Sequence, residues 1–205
     1  MQRLIQGMAD AEADIQAVAR VRSGEVAAFR VLVERHSRAV HRLAYRMTGN
    51  AHDAEDVVQE TFLRAFKRLD DFEERAQFGS WLHRIGANCA YDLLRSRSRE
   101  RARRFEPEGE DAVPIEQTVP SDEPGPERLV AGAELRRRVG AAMERMSALE
   151  RAAFTLRHLE GRTIAEIGAA LGLDASAAKQ SIFRAVRKVR AALGGTAAWT
   201  ERAGA

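Results

Sequence analysis

The sequence predicts an all-α protein with two small helical domains joined by a flexible acidic linker. All five prolines lie between residues 107 and 126, and proline interrupts the interior of a helix. The remaining sequence is rich in Ala, Leu, Arg and Glu, with apolar residues at helical spacing and no useful run of the alternation that strands require. The predicted segments are a first domain at 1–104, the linker at 105–127, a second domain at 128–194 and a frayed tail at 195–205.

Apolar stripes predict the helices of the first domain. A short amphipathic segment ends at Ser23-Gly24, and a longer helix then ends at Gly49-Asn50. Asn50 is the predicted N-cap of the third helix. The stripe of this third helix comprises Val58, Phe62, Ala65, Phe66 and Leu69. After a loop at 70–76, the stripe of the fourth helix comprises Phe78, Leu82, Ile85, Cys89 and Leu93.

The second domain contains a helix-turn-helix pattern. Its helices are predicted at 129–146, 148–159, 163–171 and 175–193. Gly168 is small enough to let two helices approach, and Gly172 permits the tight turn between them. The last helix is predicted to turn inward Ala178, Ile182, Ala185 and Val189. The residues of this helix that are left to face the major groove are Ser176, Lys179, Gln180, Phe183 and Arg184. Nearer the phosphates are Arg187, Lys188 and Arg190.

The charge pattern predicts a polyanionic partner for both domains. The formal net charge is only +3, but residues 105–127 hold eight acidic residues and no Lys or Arg. Without that segment, 33 basic residues face 22 acidic ones. Two basic bodies therefore flank an acidic tether, which is typical of a protein that binds nucleic acid.

Charge is also segregated within the first domain. Residues 53–74 hold eight acids against three bases, which favours a protein partner because carboxylates repel phosphate. Residues 84–104 hold seven arginines, which suit DNA. One face of the fourth helix combines Trp81, Arg84, Asn88, Asp92, Arg95 and Arg99, where an exposed indole could stack on a base. Two alternatives stay open: solvated helix faces, and a Trp81 that belongs to the core. Asp92 is discordant there and could pair with an arginine.

Several classes of function are not expected. Cys89 is the only cysteine, so an internal disulfide is excluded, and its position in an apolar stripe predicts a small core residue. The five histidines are scattered, and no phosphate-binding glycine loop or zinc-ligand cluster occurs. We therefore expect no metal, no cofactor and no enzymatic activity. Without an apolar run suited to a signal peptide or a membrane span, a cytoplasmic location is expected, associated with the nucleoid when active.

At DAEDVVQETFLRAF (53–66) the sequence resembles bacterial RNA polymerase sigma factors of the extracytoplasmic-function (ECF) type, group 4 of the sigma-70 family. The resemblance continues through FGSWLHRIGANCAYDLLR (78–95) and the helix-turn-helix at 163–190. It covers both domains in the family's order, with a similar linker. It implies a transcription initiation factor with a region 2-like and a region 4-like domain. An appended C-terminal regulatory domain is not expected, because the chain ends soon after the helix-turn-helix.

The resemblance assigns expected roles to particular residues. Binding to the clamp helices of the largest subunit of core RNA polymerase is expected at Asp53, Asp56, Gln59 and Glu60. Capture of a flipped base of the −10 element, and binding of its backbone, is expected at Phe72, Gln77, Trp81, Arg84, Asn88 and Arg95. Duplex reading of the −35 element is expected at Ser176, Lys179, Gln180, Phe183, Arg184, Arg187 and Lys188. The linker would thread through the channels of polymerase, and an anti-sigma factor is an expected further partner of a protein that is monomeric when free.

The recognition helix departs from the family pattern at one position. The family often has V-K-S-R-L where this sequence has Ala178-Lys179-Gln180-Ser181-Ile182. Ser181 occupies the usual arginine position, so the −35 sequence stays open. Two other functions also stay open: a stand-alone helix-turn-helix regulator that acts without polymerase, and a protein-interaction adaptor. The first would leave the acidic helix and Trp81 without a role.

Overall fold

All regular secondary structure that the structure describes is helical, as predicted. The structure is a computed structural model and describes residues 2–73, 77–104, 135 and 137–194, with the backbone alone for residues 2–10, 101, 102 and 104. The helices are α1 (Gln2–Arg22), α2 (Phe29–Thr48), α3 (Ala51–Lys67), α4 (Phe78–Arg104), α5 (137–144), α6 (Ala148–Phe154), α7 (Ile164–Leu171) and α8 (Ala175–Ala192). The predicted linker at 105–127 and tail at 195–205 lie outside the described residues.

The chain divides into two compact units, Met1–Ser96 (unit 1) and Arg97–Ala205 (unit 2). Short non-α turns join several helices. They are the 3-10 turns Val26–Ala28 and Leu69–Asp71 and the π-helical turn Thr155–Leu159, which follows α6 directly.

Unit 1 packs α1 to α4 around an apolar core. The side chains of Val18, Leu32, Leu43 and Met47 are all but completely buried, so the short predicted first segment is part of a longer helix that reaches the core. Gly49 ends α2 in the left-handed conformation with φ of 72°, which glycine adopts without steric cost. The next helix then begins as predicted, because the Asn50 side chain accepts a hydrogen bond from the Asp53 backbone.

Two residues of the predicted stripe on α3 are not buried, since Val58 is partly exposed and Phe66 is exposed. Phe66 keeps 39% of its surface exposed, although its ring packs edge-on against Phe29 at a centroid distance of 5.1 Å. The inward positions are instead filled by Val57, Phe62 and Ala65. The stripe prediction is therefore wrong at Phe66, which lies at the border of the core where only one side of the ring finds a partner.

Unit 2 has strong start and stop signals at its short helices. Ser147 with Glu150 and Thr163 with Glu166 form reciprocal capping boxes at α6 and α7, which satisfy backbone N–H groups that the first helical turn leaves without partners. Asp174 caps α8 through the Ala177 N–H. With these N-caps, the three helices begin within one residue of the predicted positions, whereas the α-helical part of α6 ends at Phe154 instead of 159.

The helix-turn-helix has the predicted glycine geometry. Gly172 ends α7 with φ of 66°. A Cβ atom on Gly168 would lie 2.7 Å from the carbonyl oxygen of Leu173, closer than real Cβ contacts allow. The turn therefore requires both glycines, one for its backbone conformation and one for its close packing.

The inward face of α8 differs from the prediction at one turn. Ala178, Ala185 and Val189 are buried as expected, but Ser181 is buried at 4% exposure while Ile182 is only partly buried. The Ser181 hydroxyl donates a hydrogen bond to the Ala177 carbonyl at 2.9 Å. A local backbone acceptor thus allows this small polar side chain to lie against the core.

Candidate nucleic-acid interface

Three aromatic rings cluster where the turn after α3 meets the start of α4. The ring centroid of Phe72 lies 5.4 Å from the centroid of Phe78 and 5.4 Å from that of Trp81. The centroids of Phe78 and Trp81 lie 5.5 Å apart. Phe72 and Phe78 are each 2% exposed, whereas Trp81 is half-buried. The indole therefore has one face in the cluster and part of its surface open to solvent.

This geometry changes the expected role of Phe72. The side chain was predicted to contact −10 DNA, but its ring is buried because the Leu69–Asp71 turn folds it against α4. Phe72 is placed to support Trp81 rather than to touch a base. The spacing of apolar residues on α4 could not reveal this, since Phe72 lies outside that helix.

Arg22 of α1 binds the same turn, a contact that no local sequence pattern predicts. Its Nη2 atom donates to the backbone carbonyls of Leu69, Asp70 and Phe72 at 2.8, 3.2 and 2.6 Å. Its Nε atom lies 3.8 Å from the exposed carboxylate of Asp70. One guanidinium from the N-terminal helix thus gathers three carbonyls of the turn that carries Phe72.

Polar residues continue from Trp81 along α4. Gln77, before the helix, and Arg84 and Arg95 on it are exposed, and Asn88 is half-buried. These four side chains all reach the solvent side of unit 1, as the helical spacing predicts.

Asp92, the discordant residue on this face of α4, has an arginine partner, as suggested for it from the sequence. Arg64 of α3 donates from Nη1 to the Asp92 carboxylate at 3.1 Å and from Nε to Glu60 at 2.6 Å. The bond to Glu60 raises the pKa of the Arg64 guanidinium, partial burial opposes the rise, and the bond to Asp92 adds to it. Asp92 thus has a cationic partner within unit 1, which it shares with Glu60.

Fewer of the residues predicted to bind polymerase through the acidic surface of α3 are exposed than expected. Asp56 and Gln59 are exposed, and Glu60 retains 44% of its side-chain surface. Asp53, however, is only 2% exposed and lies in the first turn of the helix, where a carboxylate favours the positive end of the helix dipole. Its role is therefore at the helix start, and it is too buried for a direct contact with a partner.

A surface cavity of about 560 Å³ lies beside this acidic surface, between α2 and α3. It is lined by Ser37, Arg38, His41, Arg42, Glu55, Val58 and Gln59. Basic side chains of α2 thus face acidic and amide side chains of α3 across a groove that opens next to Gln59. Periodicity alone did not indicate this groove, because it depends on how the two helices pack.

The recognition helix α8 exposes most of the residues that were predicted to face DNA. Ser176, Lys179, Gln180, Arg184 and Arg187 are exposed, and Phe183 has 65% of its surface exposed. Lys188 differs, because its Nζ atom donates to the Arg145 carbonyl and to the Glu150 carboxylate, both at 2.7 Å. The ammonium group of Lys188 therefore binds two acceptors within unit 2 instead of pointing to solvent for the expected phosphate contact.

Neither a metal site nor a thiol centre is indicated by the part of the chain that the structure describes. It contains no group of three or more His, Cys, Asp or Glu side chains that could hold a metal ion. Cys89 is buried as predicted, and burial raises the pKa of its thiol, which disfavours the reactive thiolate. Among the same residues, none of the helices combines the length and the apolar character that crossing a membrane requires.

Comparison with known proteins identifies the two units. The family model of Sigma-70 region 2 matches residues 32–100, and the model of Sigma-70 region 4 matches residues 136–189. The RNA polymerase sigma factor CnrH of Cupriavidus metallidurans is 36% identical over 182 residues, which cover 89% of this chain and 95% of CnrH. This chain belongs to the ECF sigma factor family. The ECF RNA polymerase sigma factor SigW of Bacillus subtilis is 28% identical over 84% of this chain and 92% of its own.

Other similar proteins agree with this assignment. The ECF RNA polymerase sigma factor SigE of Mycolicibacterium smegmatis is 38% identical over 159 residues, and the match spans 78% of this ECF sigma factor but only 59% of SigE. The solved structure of CnrH in complex with the cytosolic domain of CnrY has a TM-score of 0.55 at 30% identity, covering 89% of this chain and 98% of CnrH. RpoE in complex with the anti-sigma factor NepR, from Bartonella quintana, has the same fold, with a TM-score of 0.57 at 23% identity over 81% of this chain and 96% of its own.

As an ECF sigma factor, the protein is a transcription initiation factor that directs RNA polymerase to specific promoters. A stand-alone helix-turn-helix regulator is not favoured, because region 2 and region 4 both match on one chain. The region 2 match includes the aromatic cluster and the acidic surface of α3, and the region 4 match includes the helix-turn-helix.

Proposed function

We propose that the protein divides promoter recognition between its two units. The α3 surface of unit 1 binds core RNA polymerase, the start of α4 captures the opened −10 element, and α8 of unit 2 reads the −35 element as duplex. The observation that supports this division best is the half-buried Trp81, which is held by two buried rings beside the exposed Arg84. The same proposal places the protein in the cytoplasm, where polymerase acts, as a monomer when free.

The polymerase contact is proposed at Asp56, Gln59 and Glu60, with the groove between α2 and α3 beside them. Exposed carboxylate and amide groups fit basic and polar side chains of the clamp helices of the largest subunit. The groove next to Gln59 has room for a partner side chain, and Val58 in its lining offers an apolar contact.

The −10 contact is proposed at Gln77, Trp81, Arg84, Asn88 and Arg95. A base flipped out of the duplex loses its stacking, and the exposed part of the Trp81 indole can replace that stacking. The guanidinium groups of Arg84 and Arg95 can bind the backbone phosphates of the opened strand. In this proposal Phe72 and Phe78 hold the indole in place.

The −35 contact is proposed at Ser176, Lys179, Gln180, Phe183 and Arg184, with Arg187 on the phosphates. Amide and basic side chains supply hydrogen bonds to base edges, and the exposed Phe183 ring suits the methyl group of a thymine. Ser181 is left out of the reading face because it is buried.

An anti-sigma factor is proposed as a further partner. This is supported by the solved relative RpoE, which is bound to the anti-sigma factor NepR. Co-purification of the tagged protein from cells of its own source, with and without excess core polymerase, tests this partner, since a sigma factor held inactive should exchange one partner for the other.

The first experiment tests the polymerase surface. Because Glu60 also binds Arg64, the sharper variant is the double substitution Asp56→Ala with Gln59→Ala, and the control is Glu34→Ala on α2. The double variant should lose affinity for core polymerase by about 1–3 kcal/mol while its binding to a duplex −35 fragment is unchanged. Unchanged core affinity in the double variant, or an equal loss of both activities, would contradict this assignment.

The second experiment tests the −10 contact. Promoters are first selected from a random library by transcription with the reconstituted holoenzyme, and a fluorescent base is then placed in the −10 element. Trp81→Ala should slow promoter opening by roughly tenfold, from stacking worth about 1–3 kcal/mol per base, while closed-complex formation is unchanged. Normal opening by Trp81→Ala would refute the role of this residue.

A further inference from the structure

Arg22 holds the turn between α3 and α4 through the backbone rather than through side chains. Its Nη2 atom donates to three carbonyls, those of Leu69, Asp70 and Phe72. The Arg22 side chain is only 27% exposed, whereas Asp70 is 95% exposed. The interaction is therefore mainly with backbone carbonyls, of which those of Leu69 and Phe72 are partly buried, and the exposed carboxylate of Asp70 adds little in water.

The turn that Arg22 holds determines where the Phe72 ring lies. The shortest of the three hydrogen bonds, at 2.6 Å, is to the carbonyl of Phe72 itself. The Phe72 ring in turn contacts Phe78 and Trp81 at 5.4 Å. A displacement of the Phe72 backbone would therefore move the ring that backs the indole.

We propose that Arg22 is a positioning residue for capture of the −10 base. It fixes the Leu69–Phe72 backbone before DNA arrives, so that Phe72 supports Trp81 in the orientation that accepts an unstacked base. This inference rests on the proposed role of Trp81 in promoter opening. Ordering the turn in the free protein removes an entropic cost that would otherwise be met when the base binds.

The nature of the contact allows a sharp test by substitution. A single nitrogen atom donates to all three carbonyls, so a lysine ammonium, which has three donors, can replace much of it. Methionine keeps an apolar stem of similar length but has no donor. Arg22→Met should therefore lose the effect and Arg22→Lys should restore part of it. Arg30→Met is the matched control, because Arg30 is 83% exposed and pairs with Glu34 within α2.

The experiment measures promoter opening by the full chain with core polymerase, using the fluorescent base at −10. Arg22→Met should open the promoter about tenfold more slowly, the equivalent of one hydrogen bond to a charged group. Arg22→Lys should lie between this variant and the wild type, and Arg30→Met should equal the wild type. Core affinity should be unchanged in all three variants.

A second measurement without DNA separates positioning from loss of the fold. In a Trp199→Phe background, Trp81 is the remaining tryptophan, and Arg22→Met should increase its quenching by acrylamide at temperatures where the far-ultraviolet circular dichroism is unchanged. If Arg22→Met shows unchanged quenching and wild-type promoter opening, the inference is overturned. If Trp81→Ala still opens the promoter slowly in that case, the proposed function stands. Equal defects in Arg22→Lys and Arg22→Met also overturn it, because the donating nitrogen would then have no part. Wild-type opening by Trp81→Ala would instead overturn the proposed function.

Discussion

The ammonium group of Lys188 lies 2.7 Å from the Oε2 atom of Glu150 and thereby connects the recognition helix to the start of α6. The same carboxylate oxygen accepts the Ser147 N–H of the capping box at 2.9 Å. One carboxylate therefore serves the cap of α6 and the anchor of α8 together. This contact orients the face of α8 that carries the proposed −35 residues.

Arg187 and Lys188 should differ in how salt affects DNA binding, although they are adjacent. Arg187→Ala should reduce the slope of log affinity against log salt by about one, because one phosphate contact is lost. Lys188→Met should leave that slope unchanged and lower the stability of unit 2 by roughly 1–3 kcal/mol. Titration of a −35 duplex at several salt concentrations, with urea unfolding of each variant, measures both. A reduced slope for Lys188→Met would instead show that Lys188 contacts a phosphate.

Unit 2 should lose stability in mild acid through Glu150. Burial raises the pKa of this carboxyl, but hydrogen bonds from Lys188 and Ser147 outweigh burial and hold the pKa below its ordinary value of 4.5. Because the folded-state pKa is the lower one, the contribution is complete above 4.5 and is lost as the pH falls through the folded-state value. Glu150→Gln should flatten the pH dependence of urea unfolding in this range, and Glu144→Gln, at an exposed position, should not.

Gly168→Ala should destabilise unit 2 even though alanine is the better helix former. The new Cβ would lie 2.7 Å from the Leu173 carbonyl oxygen, which is backbone and cannot rotate away. Overpacking of this kind costs about 1–3 kcal/mol, which exceeds the helix propensity gain of about 1 kcal/mol. Gly79→Ala is the control, because its nearest neighbour would be a His36 side-chain atom at 3.4 Å. Urea midpoints of the two variants should move differently, with a clear loss only for Gly168→Ala.

Phe183→Ala should affect DNA binding without affecting stability. The ring is 65% exposed, so its removal leaves no cavity in unit 2. The affinity of the variant for the selected −35 duplex should fall by about 1–3 kcal/mol. Replacing the contacted thymine with deoxyuridine should lower the affinity of the wild type by a similar amount and should not lower the affinity of the variant further. Additive losses in the variant and the modified DNA would exclude a contact between Phe183 and the methyl group.

Local sequence signals predicted the helices well. Asn50, Gly49 and Gly172 act within one turn of where they stand in the chain, so their caps and stops follow from residue type. The stripe on α4 was predictable because the helix repeats its inward positions. Phe78, Leu82, Ile85 and Cys89 are all buried, whereas Leu93, the last residue of the predicted stripe, is only partly buried.

Tertiary partners of charged residues were not predictable in the same way. Arg22 and Phe72 are 50 residues apart, and Lys188 and Glu150 are 38 residues apart. A helical repeat shows that such a side chain leaves the apolar face, but it does not show whether the side chain ends on water, on a carbonyl or on DNA. For this reason Lys188 was assigned to phosphate and Arg22 was not assigned at all.

The N-terminal helix makes the folding unit longer than the segment that the region 2 family model matches. The region 2 match begins at residue 32, yet Val18 of α1 is fully buried and Asp14 binds His36 and Arg35 of α2 at 2.9 and 3.3 Å. A fragment trimmed to the matched residues would expose the apolar surface that Val18 covers and leave two basic side chains without their carboxylate. The limits of the family model and the limits of the folding unit therefore differ, and truncations should be planned from the folding unit.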